Sequence, residues 1–543
     1  MNARNLVSIS VIALLAALLF LPFLGHVHLF DWDEINFAEC AREMIVSNDY
    51  LRAQIDFQPF WEKPPLFIWM QVLSMKLFGV NEYAARFPNA LMGVTTIATI
   101  FYVGKRLVSE RVATWWTLLY AASWLPHFYF KSGIIDPSFN FFIFLAFFQV
   151  HLIRFAKDHF LHSVYAGLFL GLAVLTKGPV AVLIAVISFF AYLIINKGLW
   201  GYRFRNFLVI ALVALLPFAC WFLAAFIEFG AEYGNWFMNE FITYQIRLFS
   251  TEDADHGGPF FYHFIVLLIG CFPASVFLFQ YSLKRTTDNE QSKDFTRWMW
   301  ILFGVTLILF SIVKTKIVHY SSLCYFPITY LAALKIEQLA SGEIKMKSIV
   351  RFLLVFIGSI WAIILVALPV VGKCKEQLIP YIDDPFAVAN LQANVSWSYA
   401  ESLWGVLLVA GLVISVLMMK RNFAVGTFVL AIIQIIMIQV TILHFTPKIE
   451  AYSQRAAINF FKSLQGKDVY VHPLGYKSYA HLFYTKKLPP ANEKYYDEQW
   501  LLNGEVDKPT FFICKITSAE QYRKMPQLQE VGEKNGFVFF RRR

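Results

Sequence analysis

Residues 6–24 read LVSISVIALLAALLFLPFL, a mostly apolar run without a charged side chain. As a helix, a run of this length crosses a hydrocarbon core of about 30 Å. It lacks a small-residue cleavage site before Asp31 and exceeds the apolar core of a usual signal peptide, so we interpret it as a retained anchor. Similar runs recur along the chain, which predicts an all-α polytopic membrane protein.

The composition of the 543-residue chain agrees with this class. Charged residues make up 15% of it, whereas a soluble domain has about 25%. The net charge of +10 comes from basic residues dispersed among short loops without a nucleic-acid-binding motif, so no nucleic-acid partner is expected. The six cysteines form no CxxC pair, which argues against a disulfide framework.

About thirteen apolar segments are candidate membrane spans. They centre near Leu15, Ala98, Leu119, Phe147, Leu170, Ile187, Ala214, Ile269, Leu307, Tyr330, Phe356, Val409 and Ile435. Alternate loops between them carry the lysines and arginines, and by the positive-inside rule these loops face the cytoplasm. The loops that then lie outside are 31–86, 131–136, 176–179, 228–259, 314–319 and 373–401.

Residues 445–543 differ in character and follow the last span on the outer side. A helix-like segment occurs at 518–524, and Lys534-Asn535-Gly536 is a turn signal. Its strand-like runs are 468–471, 510–514 and 536–540. We therefore expect a transmembrane module at 1–444 and a small periplasmic α/β domain at 445–543.

The first outer loop opens with the acidic sequence DWDE at residues 31–34. One interpretation is a helix cap, because carboxylates stabilise helix N-termini. Three carboxylates within four residues exceed what a cap requires, so we expect one of them to do chemistry, and Asp33 is our choice. Apolar spacing at 37–45 and 66–78 predicts two interfacial helices in the same loop.

Glu62-Lys63-Pro64-Pro65 couples an acid and a base to a rigid proline pair. Proline disfavours helix for the residue before it, so Lys63 is expected to be held extended. A lysine held in this way is a good phosphate ligand, and Glu62 could orient it or bind a metal. The alternative is an ordinary surface ion pair, which contributes little.

Three further charged positions fall in loops predicted to lie outside. Asp136 precedes Pro137, which is compatible with a helix cap and with catalysis. Lys177 precedes Gly178-Pro179 at the end of an apolar segment, so it either faces a polar cavity or snorkels to the interface. Lys316 adds a cation at another outer boundary, and the lysines together predict a positively charged recess for lipid phosphate.

His256 lies in the loop sequence DADHGGP at residues 253–259. A histidine there could ligate a metal or act as a general base. A lone histidine is more often an ordinary loop residue, and the spacing by itself gives no metal signature.

The order of these motifs resembles that of C-type glycosyltransferases that use polyprenyl-phosphate sugars. The similarity is to the aminoarabinose (4-amino-4-deoxy-L-arabinose) lipid A transferases and to the dolichyl-phosphate-mannose protein mannosyltransferase-like group. It rests on Asp33-Glu34, Ala38-Glu39, Ala41-Arg42-Glu43-Met44, Glu62-Lys63-Pro64-Pro65-Leu66, Ala85-Arg86-Phe87-Pro88, Asp136, Leu175-Thr176-Lys177-Gly178-Pro179, His256 with Pro259, and Lys316 ahead of Tyr320. One departure is Ile35-Asn36-Phe37, where these transferases tend to carry an arginine.

The resemblance implies a multi-helix module in the bacterial inner membrane with its active site on the periplasmic side. The donor sugar is carried on undecaprenyl phosphate. Matched onto this chain, the catalytic acids are Asp33 as the principal one, Glu34 beside it, and Asp136 as the second.

The same resemblance assigns the other charged residues. Lys63 binds the donor phosphate, with Lys177 and Lys316 as further phosphate ligands. Glu62 and His256 form a site for a divalent metal, Zn or Mg/Mn, and no nucleotide cofactor is expected.

The expected reaction is a single displacement with inversion at the anomeric carbon, onto lipid A or another cell-envelope glycolipid. A hydroxyl acceptor would use Asp33 as a base, whereas a lipid A phosphate needs no deprotonation and Asp33 would orient or stabilise the sugar. The alternative enzyme glycosylates secreted protein. A lipid transporter or flippase is disfavoured, because the chain shows no internal repeat and its charges collect on one side.

Overall fold

Helices form most of the structure, a computed structural model that describes residues 3–60, 62–198, 201–250, 257–280 and 289–543. The α-helices are α1 (Ala3–Phe20), α2 (Asp33–Ser47), α3 (Leu66–Phe78), α4 (Glu82–Leu107), α5 (Glu110–Ala122), α6 (Trp124–Tyr129), α7 (Asp136–Ile153), α8 (His159–Lys177), α9 (Val180–Asn196), α10 (Phe204–Ser250), α11 (Tyr262–Gly270), α12 (Glu290–Ile312), α13 (Tyr325–Ala340), α14 (Ser348–Lys373), α15 (Lys375–Leu378), α16 (Pro385–Leu391), α17 (Leu403–Arg421), α18 (Phe423–Val440), α19 (Thr446–Glu450), α20 (Arg455–Leu464), α21 (Ala480–Thr485), α22 (Glu498–Asn503) and α23 (Ile516–Arg523). Within α10 the backbone breaks at Gly230, whose φ is 77°.

Eight helices of the described chain are long and apolar enough to cross a membrane. They are Glu82–Leu107, Asp136–Ile153, His159–Lys177, Phe204–Ala231, Glu290–Ile312, Ser348–Lys373, Tyr399–Arg421 and Phe423–Glu450. Shorter apolar helices occur at Leu6–Phe20, Leu66–Phe78 and Val180–Asn196. Every predicted span centre falls within a helix, from Leu15 in α1 to Ile435 in α18. The chain is an integral membrane protein of the predicted helical class, and the count of about thirteen spans stays a prediction.

Glycines allow α8 and α10 to approach each other closely. A Cβ placed on Gly171 would lie 2.6 Å from the carbonyl oxygen of Ala214, and one on Gly167 would lie 2.7 Å from that of Ile210. Small residues at such contacts are the usual means by which membrane helices pack. This packing fixes the position of α8, whose last residue is Lys177.

The helices of the first long loop are α2 and α3, but α2 does not lie along a surface as predicted. Its polar side chains Glu39, Arg42 and Glu43 are buried. Arg42 donates two hydrogen bonds to Glu39, at 2.8 and 2.6 Å, and Glu43 accepts from the backbone N–H groups of Asp56 and Phe57. The helix is enclosed because α21, from near the other end of the chain, packs against it.

A four-stranded sheet with the order β3-β4-β6-β5 forms near the C-terminus. The strands of the structure are β1 (Gln54–Ile55), β2 (Gln58–Pro59), β3 (Tyr470–Leu474), β4 (Thr510–Lys515), β5 (Leu528–Lys534) and β6 (Phe537–Arg542). β3 and β4 are parallel, and the other two pairs of this sheet are antiparallel. Asn535 and Gly536, with φ of 49° and 81°, make the two-residue turn between β5 and β6. The status of residues 445–543 as a separate domain stays a prediction.

The C-terminal sheet packs against the first loop. One apolar cluster contains Phe37 and Phe67 from that loop together with Phe461, Phe483 and Phe539 from the C-terminal region. Burial of apolar surface is the main favourable contribution to such packing. Residues from both ends of the chain therefore shape the surface beside α2.

Gly171→Ala tests the contact between α8 and α10. The added methyl group must displace the backbone of α10, and overpacking of this kind costs about 1–3 kcal/mol, so we expect a lower midpoint of thermal unfolding in detergent. Gly304→Ala is the matched control, because a Cβ at this position in α12 meets no atom within 4 Å. Both variants gain the same helix propensity. Equal midpoints would contradict the close approach.

Candidate active site

A cavity of about 830 Å³ lies where several of the loops predicted to face outward converge. Small-molecule sites usually measure about 300–1,000 Å³, so the cavity has the size of a small-molecule site. Six of the eight predicted site residues line it: Asp33, Glu34, Glu62, Lys63, Asp136 and Lys177. Residues far apart in sequence thus meet at one place.

Two carboxylates enter the cavity from the first residues of helices. Asp33 begins α2 and Asp136 begins α7. The capping positions are Trp32 and Ile135, and neither helix has a side-chain capping bond, so capping does not explain the two acids. The N-terminus of α9, at Val180, also lies at the cavity. Helix N-termini carry partial positive charge, which favours an anionic ligand here.

Lys177 pairs with Asp136 inside the cavity. Its Nζ donates to Asp136 Oδ1 at 2.5 Å, and 11% of the Lys177 side chain and 2% of that of Asp136 are exposed. The ammonium also lies 5.0 Å from the centre of the Tyr320 ring. Lys177 therefore faces the polar cavity and does not snorkel to the interface.

Lys63 and Glu62 line the same cavity, just before the Pro64-Pro65 pair. Lys63 Nζ lies 5.3 Å from the centre of the Tyr244 ring. Burial lowers the pKa of Lys63, and the negative charges of Glu62 and Asp33 oppose part of that shift. An anionic ligand beside Lys63 would likewise raise its pKa and favour the charged ammonium. This environment differs from the surface ion pair that was the alternative.

Glu34 has a different environment from that of Asp33. Its carboxylate accepts hydrogen bonds from Arg86 at 2.9 and 2.7 Å, and from the backbone N–H groups of Phe30 at 2.9 Å and Gly133 at 2.5 Å. Burial by itself would raise the pKa of Glu34, but Arg86 and these two donors outweigh it and lower the pKa. Both carboxylate oxygens are engaged, which favours a structural role.

Lys316 differs from the expectation of a phosphate ligand. Its Nζ donates to the backbone carbonyls of Phe310, Ser311 and Val313, at 3.1, 2.6 and 2.5 Å. Carbonyls at a helix C-terminus lack intrahelical partners, so the ammonium caps the end of α12. Lys316 is buried and lies outside the described lining of the cavity. This arrangement does not support its predicted role.

The predicted metal ligands are only partly placed. Glu62 lies in the cavity, whereas His256 falls outside the described residues. Among the residues that the structure describes, no group of three His, Cys, Asp or Glu side chains is arranged to hold a metal ion. These residues do not make up a metal site by themselves, so the divalent metal stays a prediction.

Two basic residues of the lining, His319 and Lys477, were not singled out by the sequence. His319 lies between Asp33 and Asp136, with its Nε2 at 3.4 and 3.7 Å from their Oδ2 atoms. Lys477 reaches the cavity from the C-terminal region, and its Nζ lies 4.9 Å from the centre of the Trp32 ring. The one signal for the histidine was its place in a loop predicted to lie outside. The lysine had none, because long-range packing sets its position.

A family model described as dolichyl-phosphate-mannose-protein mannosyltransferase matches residues 62–224. This stretch contains four of the six predicted site residues that line the cavity, namely Glu62, Lys63, Asp136 and Lys177. The match therefore covers half of the eight predicted site residues.

Relatives extend the similarity along the chain. Undecaprenyl phosphate-alpha-4-amino-4-deoxy-L-arabinose arabinosyl transferase from Edwardsiella ictaluri is 29% identical over 347 residues, which cover 62% of this chain and 61% of that protein. The protein of the same name from Pectobacterium carotovorum is 26% identical over 414 residues, or 72% of each chain. The matched region thus spans about three fifths of the first relative's length.

The fold is shared with a solved structure. The crystal structure of ArnT from Cupriavidus metallidurans bound to undecaprenyl phosphate has a TM-score of 0.74 at 18% identity, and covers 100% of this chain and 98% of that one. The chain resembles the aminoarabinose transferases in sequence and in fold. The resemblance predicted from the motifs is confirmed, and the similarity in fold extends over the C-terminal residues.

Glu34→Gln tests the structural role of this carboxylate. The variant leaves the buried Arg86 charge without its counterion, so we expect a loss of about 3–5 kcal/mol in the free energy of unfolding at pH 7. A Glu34 whose folded pKa lies below the ordinary 4.5 stabilises the fold above that pH. This contribution shrinks as the pH falls through the folded pKa, and the wild-type advantage should shrink with it.

Glu82→Gln is the matched control for this experiment. Glu82 pairs with Lys462 at 3.4 Å near the surface, and such pairs contribute about 0–1 kcal/mol. The measurement is denaturant unfolding in detergent at neutral and acidic pH. A loss for Glu34→Gln no larger than that for Glu82→Gln would rule out the structural role.

Proposed function

We propose that this protein is a glycosyltransferase of the bacterial inner membrane. It moves a sugar from an undecaprenyl-phosphate carrier to a cell-envelope glycolipid, with lipid A as the acceptor, at the periplasmic face. The observation that carries the proposal is a single cavity that joins Asp33 and Asp136 with Lys63 and Lys177 in a chain resembling the aminoarabinose transferases. We propose about thirteen spans, with residues 445–543 in the periplasm, because the loops predicted to lie outside meet at this cavity.

The cavity offers a binding site for the donor phosphate and its lipid. Lys63 and Lys177 supply two cations, and a lysine is an effective ligand for phosphate. Phe310, Val313 and Ile317 line another part of the cavity and provide apolar surface for the first units of a polyprenyl chain. Charge and apolar surface side by side match an amphipathic lipid phosphate.

The two carboxylates have unequal access to a substrate. Asp33 is 35% exposed, whereas Asp136 is 2% exposed and paired with Lys177. Asp33 is therefore the acid placed to touch the sugar or the acceptor. Asp136 holds Lys177 in position, and Glu34 holds the turn that precedes α2.

The transfer is a single displacement at the anomeric carbon. An acceptor oxygen forms a bond to this carbon as the bond from the carbon to the carrier phosphate breaks, and configuration inverts. The phosphate leaves with the electron pair, and Lys63 and Lys177 stabilise its charge. If the acceptor is a hydroxyl, its proton passes to Asp33; if it is a phosphate, no proton moves and Asp33 orients or stabilises the sugar.

Asp33→Asn and Lys63→Ala test the site. We expect Asp33→Asn to lower kcat by about 100-fold or more, because general acid–base or orienting contacts contribute at least this much. Lys63→Ala should lower kcat/KM for the donor by about 100-fold through lost charge stabilisation. The assay follows radiolabelled aminoarabinose from its undecaprenyl-phosphate carrier to lipid A in proteoliposomes.

Two exposed residues supply the controls for this assay. Asp383→Asn and Lys467→Ala change the same charges at exposed positions outside the cavity. Both should retain wild-type rates. Full activity in both Asp33→Asn and Lys63→Ala would mean that the site lies elsewhere.

A second candidate function is protein O-glycosylation. It is favoured by the description of the matched family model, which names a protein mannosyltransferase. Membranes with and without the protein, given the same radiolabelled donor, separate the two acceptors. We expect label in the lipid extract; label in the protein pellet alone would refute the lipid A acceptor.

A further inference from the structure

His319 lies between Asp33 and Asp136, two of the carboxylates that line the cavity. It belongs to a short 3-10 helix, Val318–Cys324, on a chain segment separate from those that carry the acids. Its Nε2 is 3.4 Å from Asp33 Oδ2 and 3.7 Å from Asp136 Oδ2. One nitrogen thus faces one oxygen of each acid.

The two carboxylate oxygens of Asp136 differ in their hydrogen bonding. Oδ1 accepts from Lys177, whereas Oδ2 is buried and has no hydrogen-bond partner among the described residues. His319 Nε2 lies 3.7 Å from this oxygen and 3.4 Å from Asp33 Oδ2, so its single N–H is nearer to Asp33, and both separations are longer than the usual 2.7–3.2 Å of a hydrogen bond.

The imidazole ring is held in place by neighbouring aromatic rings. Its centre lies 6.1 Å from that of Tyr129 and 5.4 Å from that of Tyr320, with interplanar angles of 89° and 72°. Only 13% of the His319 side chain is exposed. A ring packed in this way keeps the direction of its Nε2 toward the acids.

We propose that His319 is a positioning residue of the transfer reaction, which holds Asp33 through its Nε2–H. This inference rests on the proposed function. Asp33 is the more exposed acid, and without a second contact its carboxylate would turn freely about its side-chain bonds. A hydrogen bond to Oδ2 fixes that oxygen and leaves Oδ1 for the sugar or acceptor. Bonds of this kind are often long in a free enzyme and shorten when the substrate binds.

Two substitutions separate the N–H donor from the bulk of the ring. His319→Leu removes the donor at similar size, and His319→Gln keeps an amide N–H close to the position of Nε2. We expect His319→Leu to lower kcat by about 100-fold, the effect of a reacting group displaced by about 1 Å, with KM for the donor within about twofold. His319→Gln should recover at least about tenfold of this loss. The donor in the assay is undecaprenyl-phosphate aminoarabinose, and the acceptor is lipid A.

A double-mutant cycle with Asp33→Asn tests whether the histidine acts through that acid. If it does, His319→Leu should cause less than about a threefold further loss in an Asp33→Asn background, because residues that act as a unit are non-additive. An independent, multiplicative loss would overturn the inference. His26→Leu, at an exposed histidine outside the cavity, is the matched control and should retain wild-type kcat.

The outcomes distinguish this inference from the function on which it rests. Binding of undecaprenyl phosphate and the thermal midpoint should be the same for His319→Leu and wild type, which shows that the fold and the donor site persist. Loss of activity in Asp33→Asn with full activity in His319→Leu refutes the role of the histidine alone. Absence of transfer by the wild-type protein refutes the proposed function, and with it this inference.

Discussion

The buried ion pair between Glu34 and Arg86 holds together the segments on which the cavity depends. Arg86 donates two bonds to Glu34 and three to backbone carbonyls within residues 24–28. Glu34 also accepts from the backbone of the turn that precedes α7. Because Asp33 is next to Glu34 and Asp136 begins α7, one pair sets the spacing of both candidate acids. The cost of burying two charges is offset here because donors and acceptors are matched.

Acids and lysines are interleaved in the cavity before any ligand arrives. Lys177 is neutralised by Asp136, and the negative charges of Glu62 and Asp33 favour the protonated form of Lys63. Lysines clustered without acids would repel one another in a partly apolar cavity, where the dielectric constant is low. Acids without cations would repel a phosphate. Interleaving the two lets the cavity remain folded when empty and still offer ammonium groups to an anion.

Hydropathy and motif order were sufficient to predict the helical membrane class. They were also sufficient to predict that Asp33, Lys63 and Lys177 belong to one site, and these residues line one cavity. The remainder depended on contacts between distant positions, which no local pattern encodes. The partner of Glu34 stands 52 residues away. The sequence suggested that Lys316 was another outward-facing cation. The structure shows that it instead caps the backbone carbonyls at the end of α12. The periodicity of the helix at 33–47 predicted an interfacial helix. The structure differs, because residues near the opposite end of the chain cover it.

The C-terminal region is part of the wall of the cavity. Lys477 lines it, and the Tyr479 ring lies 5.4 Å from that of Trp32, the residue just before Asp33. The hydroxyl of Tyr484 accepts from the backbone of the segment that leads into α2. That segment is therefore held on one side by Arg86 of the membrane helices and on the other by C-terminal side chains. Contacts from the membrane helices and from the C-terminal region therefore together hold the segment that leads to Trp32 and Asp33 at the cavity.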